Sequence, residues 1–425
     1  MQPNNFEKAS LSGQTDRPLI PINQTSERYV WLTLQLPNPP RPTDRLPLNL
    51  SLIVDRSGSM SGDKLEYVKE AAIHALRLLT EADRAAVVIY DDAVELLSPS
   101  RAITNDARDD IIRRIRQIRT GGMTNLSGGW FTGCDQIADF MTKDYLNRAL
   151  LLTDGLANVG LTDHEQLVME AKELRRRGIS TTTFGVGHDF NQFLLQGIAD
   201  GAGGHFYFID KPNQIPNYFQ GELGELLTTV ARELTLDISM SAGIEVDVLN
   251  DTIREHTGRT LRLFLGDAYA GETCHLALKL KLPACSLDQD LDLSFSLRYE
   301  DTQQRQSVQV EGETLRFIVA KAQDCENQPV NEDVLREAGR LEAERAKLAA
   351  LQKEQQGDIP GAQAALRRAG VILGAAMPPP VAAALAQELN EMEAAMKLGL
   401  TEATRKEKHY QTYLAQHSRK DYKKS

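Results

Sequence analysis

Leu48-Asn49-Leu50-Ser51-Leu52-Ile53-Val54-Asp55-Arg56-Ser57-Gly58-Ser59-Met60 is the stretch from which the rest of the chain is read. Its largely apolar part, Leu48 to Val54, has the length and composition of a buried strand. The run ends on an acid, Asp55. Ser57 and Ser59 follow at alternate positions, and Gly58 between them permits a sharp turn. A helix is expected from near Asp63. Strand, polar loop and helix in that order put Asp55, Ser57 and Ser59 at the carboxyl edge of a parallel sheet, where open α/β sheets receive ligands. All three residues offer oxygen, and oxygen-only sets suit hard cations such as Mg²⁺, Mn²⁺ or Ca²⁺ rather than zinc. Alone, D-x-S-x-S reads equally well as an acidic helix cap with two turn-forming serines.

Two later pieces change that balance. Thr120-Gly121-Gly122-Met123-Thr124-Asn125 is a Gly-rich loop between two helical stretches, and Leu150-Leu151-Leu152-Thr153-Asp154-Gly155 is a second apolar strand ending on an acid. In this order the three pieces resemble the metal-ion-dependent adhesion site of the von Willebrand factor A domain family. Asp55, Ser57, Ser59, Thr124 and Asp154 each fall on a position of that motif, and the resemblance spans roughly Leu48 to Val230. It implies one divalent cation, usually Mg²⁺, with Mn²⁺ or Ca²⁺ as alternatives. The hydroxyls of Ser57, Ser59 and, in the engaged state, Thr124 would bind it directly, while Asp55 and Asp154 would hold its waters. It implies a non-enzymatic protein–protein interaction module that captures an Asp or Glu of a partner, which by family analogy is an AAA+ ATPase, a kinase or a substrate of one. The alternative is a metal-dependent hydrolase or phosphatase. That chemistry needs a base or nucleophile beside the metal; the serines are spent as ligands and no histidine is near in sequence.

Length and composition bound the rest. A chain of 425 residues suggests two or three domains. With 41% hydrophobic and 25% charged residues it falls in the ordinary soluble globular class. Its net charge of −11 argues against nucleic acid as the main partner. No apolar run reaches membrane length; the nearest, Ala369 to Ala386, is broken by Pro378-Pro379-Pro380. Met1 to Gly13 lacks the apolar segment of a secretory signal. Cys134, Cys274, Cys285 and Cys325 form no C-x-x-C pair and no zinc spacing, so reduced thiols and a cytoplasmic location are expected. Gly185-Val186-Gly187 lacks the third glycine of a dinucleotide fingerprint. His74, His164, His188 and His205 sit on separate elements without ligand spacing.

Three further regions surround this α/β part, which is read as a doubly wound, mostly parallel sheet over residues 46–230. A helix expected over Pro212 to Leu234 closes it. From about Thr235 the period changes to two, and several short strands imply an antiparallel β-sandwich over residues 231–325. An isolated strand, Tyr29 to Leu36, has the same character, with Val30, Leu32, Leu34 and Leu36 on one face. The expectation is that residues 1–45 complete the sandwich and the α/β domain is inserted into it. Residues 326–425 read as an α-helical region, with a break at Gly357-Asp358-Ile359-Pro360 like the turn of one tetratricopeptide-like hairpin. The Lys- and Arg-rich run Arg405 to Ser425 reads as a solvated tail, or functionally as a docking segment for an acidic surface.

Overall fold

A computed structural model describes residues 8–38, 45–287 and 289–417. The chain forms two compact units, residues 45–229 in one and residues 8–38 with 230–417 in the other. The α/β unit is thus an insertion within the chain of a β-rich unit.

The chain opens in the β-rich unit with β1 (Ser10–Thr15), β2 (Leu19–Pro21) and β3 (Ser26–Gln35). The inserted α/β unit follows. Its elements are β4 (Leu48–Asp55), α1 (Asp63–Leu78), β5 (Arg84–Tyr90), β6 (Val94–Ala102), α2 (Asn105–Arg116), α3 (Leu126–Ala138), β7 (Leu146–Thr153), α4 (His164–Arg176), β8 (Ser180–Val186), α5 (Gln192–Ala202), β9 (Phe206–Ile209) and α6 (Ile215–Leu227). The sheet order is β6-β5-β4-β7-β8-β9, parallel throughout except for the antiparallel edge pair β5–β6. Every residue of the central strands β4 and β7 is buried, as apolar runs covered on both faces must be. The strand order reverses beside β4, because the chain moves to β5 and then returns past β4 to β7. That reversal opens a crevice at the carboxyl ends of β4 and β7, which end at Asp55 and Thr153.

Small residues bring α3 down onto this crevice. A Cβ on Gly129 would lie 2.4 Å from the Tyr90 ring, and one on Gly133 would lie 2.5 Å from Ile53. Only glycine allows so close an approach of helix to sheet. The helix start, with Asn125 capping it by accepting from Gly128 N–H, is thereby held near the strand ends.

The remaining elements belong to the β-rich unit. They are β10 (Thr229–Met240), β11 (Glu245–Val248), β12 (Ile253–Thr257), β13 (Thr260–Tyr269), β14 (Thr273–Leu282), β15 (Leu291–Asp301), β16 (Gln306–Glu311) and β17 (Leu315–Ala320), then helices α7 (Ala322–Asn327), α8 (Glu332–Gln355), α9 (Ile359–Ala376), α10 (Pro379–Leu398) and α11 (Glu402–Gln416). One sheet runs β1-β3-β14-β11; the other runs β12-β13-β10-β15-β17-β2, with β16 on β15. Strand β3 lies between β1 and β14 and is antiparallel to both. Its Val30, Leu32 and Leu34 enter the sandwich core with Leu278, Ile238 and Phe295. Its opposite face, Tyr29 with Trp31, joins a second core built from α8, α9 and α10. The helices therefore cover the outer face of the four-stranded sheet. No described helix is long and apolar enough to cross a membrane.

Four expectations need correction. The helix expected over Pro212 to Leu234 stops at Leu227, and Thr229 already begins β10. The first residues of this strand give no strand signal because it carries a bulge. Its pairing with β15 shifts register between Arg232 and Thr235, and Glu233 takes a left-handed φ of 51°. That interruption breaks the period of two on which strand reading depends. Second, β1 and β2 precede the one strand expected in residues 1–45, and β12, nearly all exposed, gives no alternation. Third, the short helix α7 stands in what was read as the end of the sandwich. Fourth, the first half of the basic run is the docked helix α11. Arg405 donates two hydrogen bonds to Glu354 of α8, at 2.7 and 2.8 Å, and Tyr410 and Tyr413 are buried. Residues 418–425 of that run lie outside the described residues.

Candidate metal centre

Three loops at the carboxyl ends of β4 and β7 and at the start of α3 are laced together by their backbones. Gly58 N–H donates to Gly122 C=O at 2.9 Å, and Gly121 N–H donates to Arg56 C=O at 2.7 Å. Asn158 joins the second loop to the third. Its Oδ1 accepts from Thr124 N–H at 2.9 Å, and its own N–H donates to Thr124 C=O at 3.2 Å. Asp91 holds the same loop from the β5 side: its Oδ2 lies 3.3 Å from Gly122 N–H and 3.3 Å from Arg56 Nε. A Cβ on Gly121 would meet Asp91 Oδ2 at 1.7 Å, so this glycine is a packing requirement.

Within this frame the structure brings Asp55, Ser57, Ser59 and Asp154 into one cluster. Ser57 N–H donates to Asp55 Oδ1 at 2.8 Å. The Ser57 and Ser59 hydroxyls lie 3.1 Å apart. Ser59 Oγ donates to Asp154 Oδ1 at 2.6 Å. Thr124 comes in from the neighbouring loop: a methyl group on Gly155 would stand 3.2 Å from the Thr124 hydroxyl and 3.5 Å from that of Ser59. Asp55 and Asp154 are both fully buried at 0% exposure, while Ser59 faces solvent. Donors from three loops, all of them oxygen, thus converge at the mouth of the crevice. The donor chemistry fits a hard divalent cation and not a soft one.

The electrostatics point the same way. Burial pushes the Asp55 carboxyl from its ordinary 3.8 up to about 6, against hydrogen bonds from Ser57 and Thr153 that hold it lower; the charge of Asp154 adds to the rise. A carboxylate so destabilised gains most from a cation nearby.

Four residues of this neighbourhood carry no role in the reading from sequence. Thr153 donates to Asp55 Oδ2 at 2.6 Å. Lys64, in the first turn of α1, places Nζ 2.5 Å from Asp154 Oδ2. Asn158 and Asp91 position the Thr124 loop as described. Thr153 is adjacent to Asp154 in a quoted motif and its hydroxyl was a usable signal. The other three come together only through the fold.

A second set of ligand-capable side chains, His205, Glu222 and Glu225, lies elsewhere in the unit. Glu222 is fully buried and accepts from Thr182 Oγ1 at 2.6 Å and Tyr207 OH at 2.8 Å, with His205 Nδ1 2.9 Å away. Burial pushes its carboxyl up, but His205, Arg148 and Thr182 outweigh that and hold it well below the usual range. This is a satisfied structural network tying α6 to β8 and β9.

Comparison with known proteins agrees with the architecture. Residues 49–221 match the von Willebrand factor type A domain. The chain is 29% identical over 219 residues to the uncharacterized protein YfbK of Escherichia coli (strain K12), a match covering 51% of this chain and 38% of that protein. It is 27% identical over 269 residues to the uncharacterized protein sll0103 of Synechocystis, covering 60% and 62%. A match to inter-alpha-trypsin inhibitor heavy chain H1 of Sus scrofa, 27% identical over 209 residues, covers 48% and 23%. The chain thus spans only 23% to 62% of the length of these relatives. Among solved structures, a von Willebrand factor type A protein from Catenulispora acidiphila superposes with a TM-score of 0.67 at 18% identity over 88% of each chain. The ArnB paralog VWA2 from Sulfolobus acidocaldarius does so with 0.59 at 14% identity, over 96% and 98%. At such identities the likeness is one of fold.

Proposed function

We propose, from the match of residues 49–221 to the von Willebrand factor type A domain, that the chain is a non-enzymatic module that grips an acidic residue of a partner protein through a divalent cation. The observation that carries this reading is the joining of Asp55, Ser57, Ser59 and Asp154 into one oxygen-only cluster, with two buried carboxyls and an exposed hydroxyl edge. Ser57, Ser59 and Thr124 would offer hydroxyl oxygens to Mg²⁺, with Mn²⁺ or Ca²⁺ as substitutes. Asp55 and Asp154, already engaged by Thr153 and Ser59, would hold the ion's waters.

The ion supplies an incompletely neutralised positive charge with an open position. Mg²⁺ commonly keeps several waters, one of which an outside Asp or Glu displaces. The chain's own part is to exclude other geometries. The laced loops hold the hydroxyls at fixed separations, and burial keeps the carboxylates from turning outward. An AAA+ ATPase, a kinase or a substrate of one fits the partner class. No observation favours the hydrolase or phosphatase reading.

The test is capture of Asp- or Glu-bearing protein ligands by the full chain in Mg²⁺ against chelator, beside Asp154→Ala and Ser59→Ala. Metal-dependent capture lost in both variants, with their melting retained, supports the reading. Capture that survives chelation and both substitutions rejects it.

A further inference from the structure

We propose that Lys64 is the centre's own tethered cation, which holds Asp154 when no divalent ion is present and must leave it for one to enter. This rests on the metal reading above and deepens it, because it assigns to this chain a residue that sets the ion concentration at which the centre fills.

The geometry is specific. Lys64 Nζ lies 2.5 Å from Asp154 Oδ2 and 3.3 Å from Ser59 C=O. Asp154 is wholly buried, whereas the lysine side chain keeps 23% of its exposure. The other carboxylate oxygen of Asp154 takes the Ser59 hydroxyl. Both oxygens of the acid are therefore engaged, one by a neutral donor from the cluster and one by a full positive charge. Gly187, which follows β8 with φ +75°, borders the ammonium: a Cβ there would be in ordinary contact, 3.6 Å from both Cε and Nζ of Lys64.

Helix stability does not account for this lysine. It occupies the first turn of α1, where the helix dipole favours acids, and Asp63 and Glu66 already fill that role. A cation at this end is unfavourable unless something else holds it, and Asp154 is what holds it. Lysine also suits displacement. Its ammonium is a compact, strongly hydrated charge on a flexible stem, so it can swing into solvent when an ion takes its place. A divalent ion coordinated beside Ser59 and Asp154 meets a like charge on the same carboxylate. Mutual repulsion across one carboxylate makes occupancy by the ion and pairing by Lys64 alternatives. Once released, the ammonium stands at the rim.

The experiment is calorimetric titration of the chelator-treated full chain with Mn²⁺ and with Mg²⁺, comparing wild type, Lys64→Met, Lys64→Arg and Asp55→Ala. Lys64→Met keeps the stem and removes the charge; it should bind at least tenfold more tightly than wild type. Lys64→Arg restores a fixed cation and should bind no more tightly than wild type. Metal-free Lys64→Met should also melt lower than wild type and show the larger rise in Tm on adding ion, a pairing that a merely structural lysine would not produce. Binding seen only in Lys64→Met also supports the proposal. Equal affinities in wild type and Lys64→Met overturn the proposal and leave the metal reading standing. No binding by either protein overturns both, and binding retained in Asp55→Ala overturns the metal reading itself.

Discussion

Thr153 gives its hydroxyl hydrogen to Asp55 at 2.6 Å, beneath the candidate centre and with both residues fully buried. A hydrogen bond to a buried charge is worth about 1.5–3 kcal/mol. Thr153→Val keeps the shape and removes the donor. Asp55 then keeps its proton to higher pH, and that proton competes with the ion, so cation affinity near neutral pH should fall by up to about tenfold. Titration with Mn²⁺ checks this; an unchanged affinity would show that Asp55 does not serve the ion.

Asp55 itself links stability to pH. Its folded carboxyl titrates near 6 against an ordinary 3.8, so between those values the native state holds a proton that the unfolded chain has released. Metal-free stability from this group is therefore full below about pH 4 and lost as pH rises through about 6, by roughly 3 kcal/mol. Asp55→Asn carries no such loss. The melting difference between the two proteins, without metal, should grow in favour of the variant from pH 4 to 7. A constant difference refutes the assignment.

Glu222 has the opposite sign. Its carboxyl is held below the ordinary 4.5, so its contribution is present above that value and lost as pH falls through its native titration. Glu222→Gln leaves His205 and Arg148 without their buried counter-charge and should destabilise by about 3–5 kcal/mol at neutral pH. Urea unfolding measures it, and a loss below 1 kcal/mol would mean that the network is dispensable.

Gly133→Ala probes the seat of α3. The new methyl would start 2.5 Å from Ile53 and 2.8 Å from the Ser51 hydroxyl, in a fully buried strand. Overpacking of this kind costs about 1–3 kcal/mol. Because α3 carries the Thr124 loop at its start, cation affinity should fall together with Tm. A stability loss with untouched affinity would separate the helix seat from the site.

Glu233 stands at φ 51° in the bulge of β10, with its N–H 3.4 Å from Asp267 Oδ1. Glycine relieves the steric cost of that conformation and keeps the backbone bond. Glu233→Gly should stabilise by about 1 kcal/mol, read as a rise in Tm. A fall would show that the side chain is needed.

The legible parts of this chain are those in which local chemistry and tertiary position coincide. Asp55 and Asp154 terminate or follow apolar strands, so the sequence around each shows both the strand and the edge. Val30, Leu32, Leu34 and Leu36 alternate, and all four lie in the sandwich core. What stayed hidden depends on partners brought from elsewhere. Lys64 looks like any lysine in an amphipathic helix until the fold brings it to Asp154, just past β7. Asn158 lies in a featureless loop until it meets Thr124. The start of β10 was masked by one residue, Glu233, whose left-handed turn interrupts the alternation. Ser10–Thr15 is too polar to announce itself; its strand exists because β3 offers it a free edge.

The insertion sets a timetable for synthesis. Leu34 pairs with Cys274, and Leu19 N–H reaches Gln328 across 309 residues of chain. As the polypeptide leaves the ribosome, β1 and β3 emerge first and must wait, with apolar faces uncovered, until β14 and β17 appear. All six strands of the inserted sheet are made in one uninterrupted stretch and can assemble during that wait. Long-range β pairing is slow and exposes strand edges meanwhile. The sandwich can therefore close only after the inserted sheet has been made.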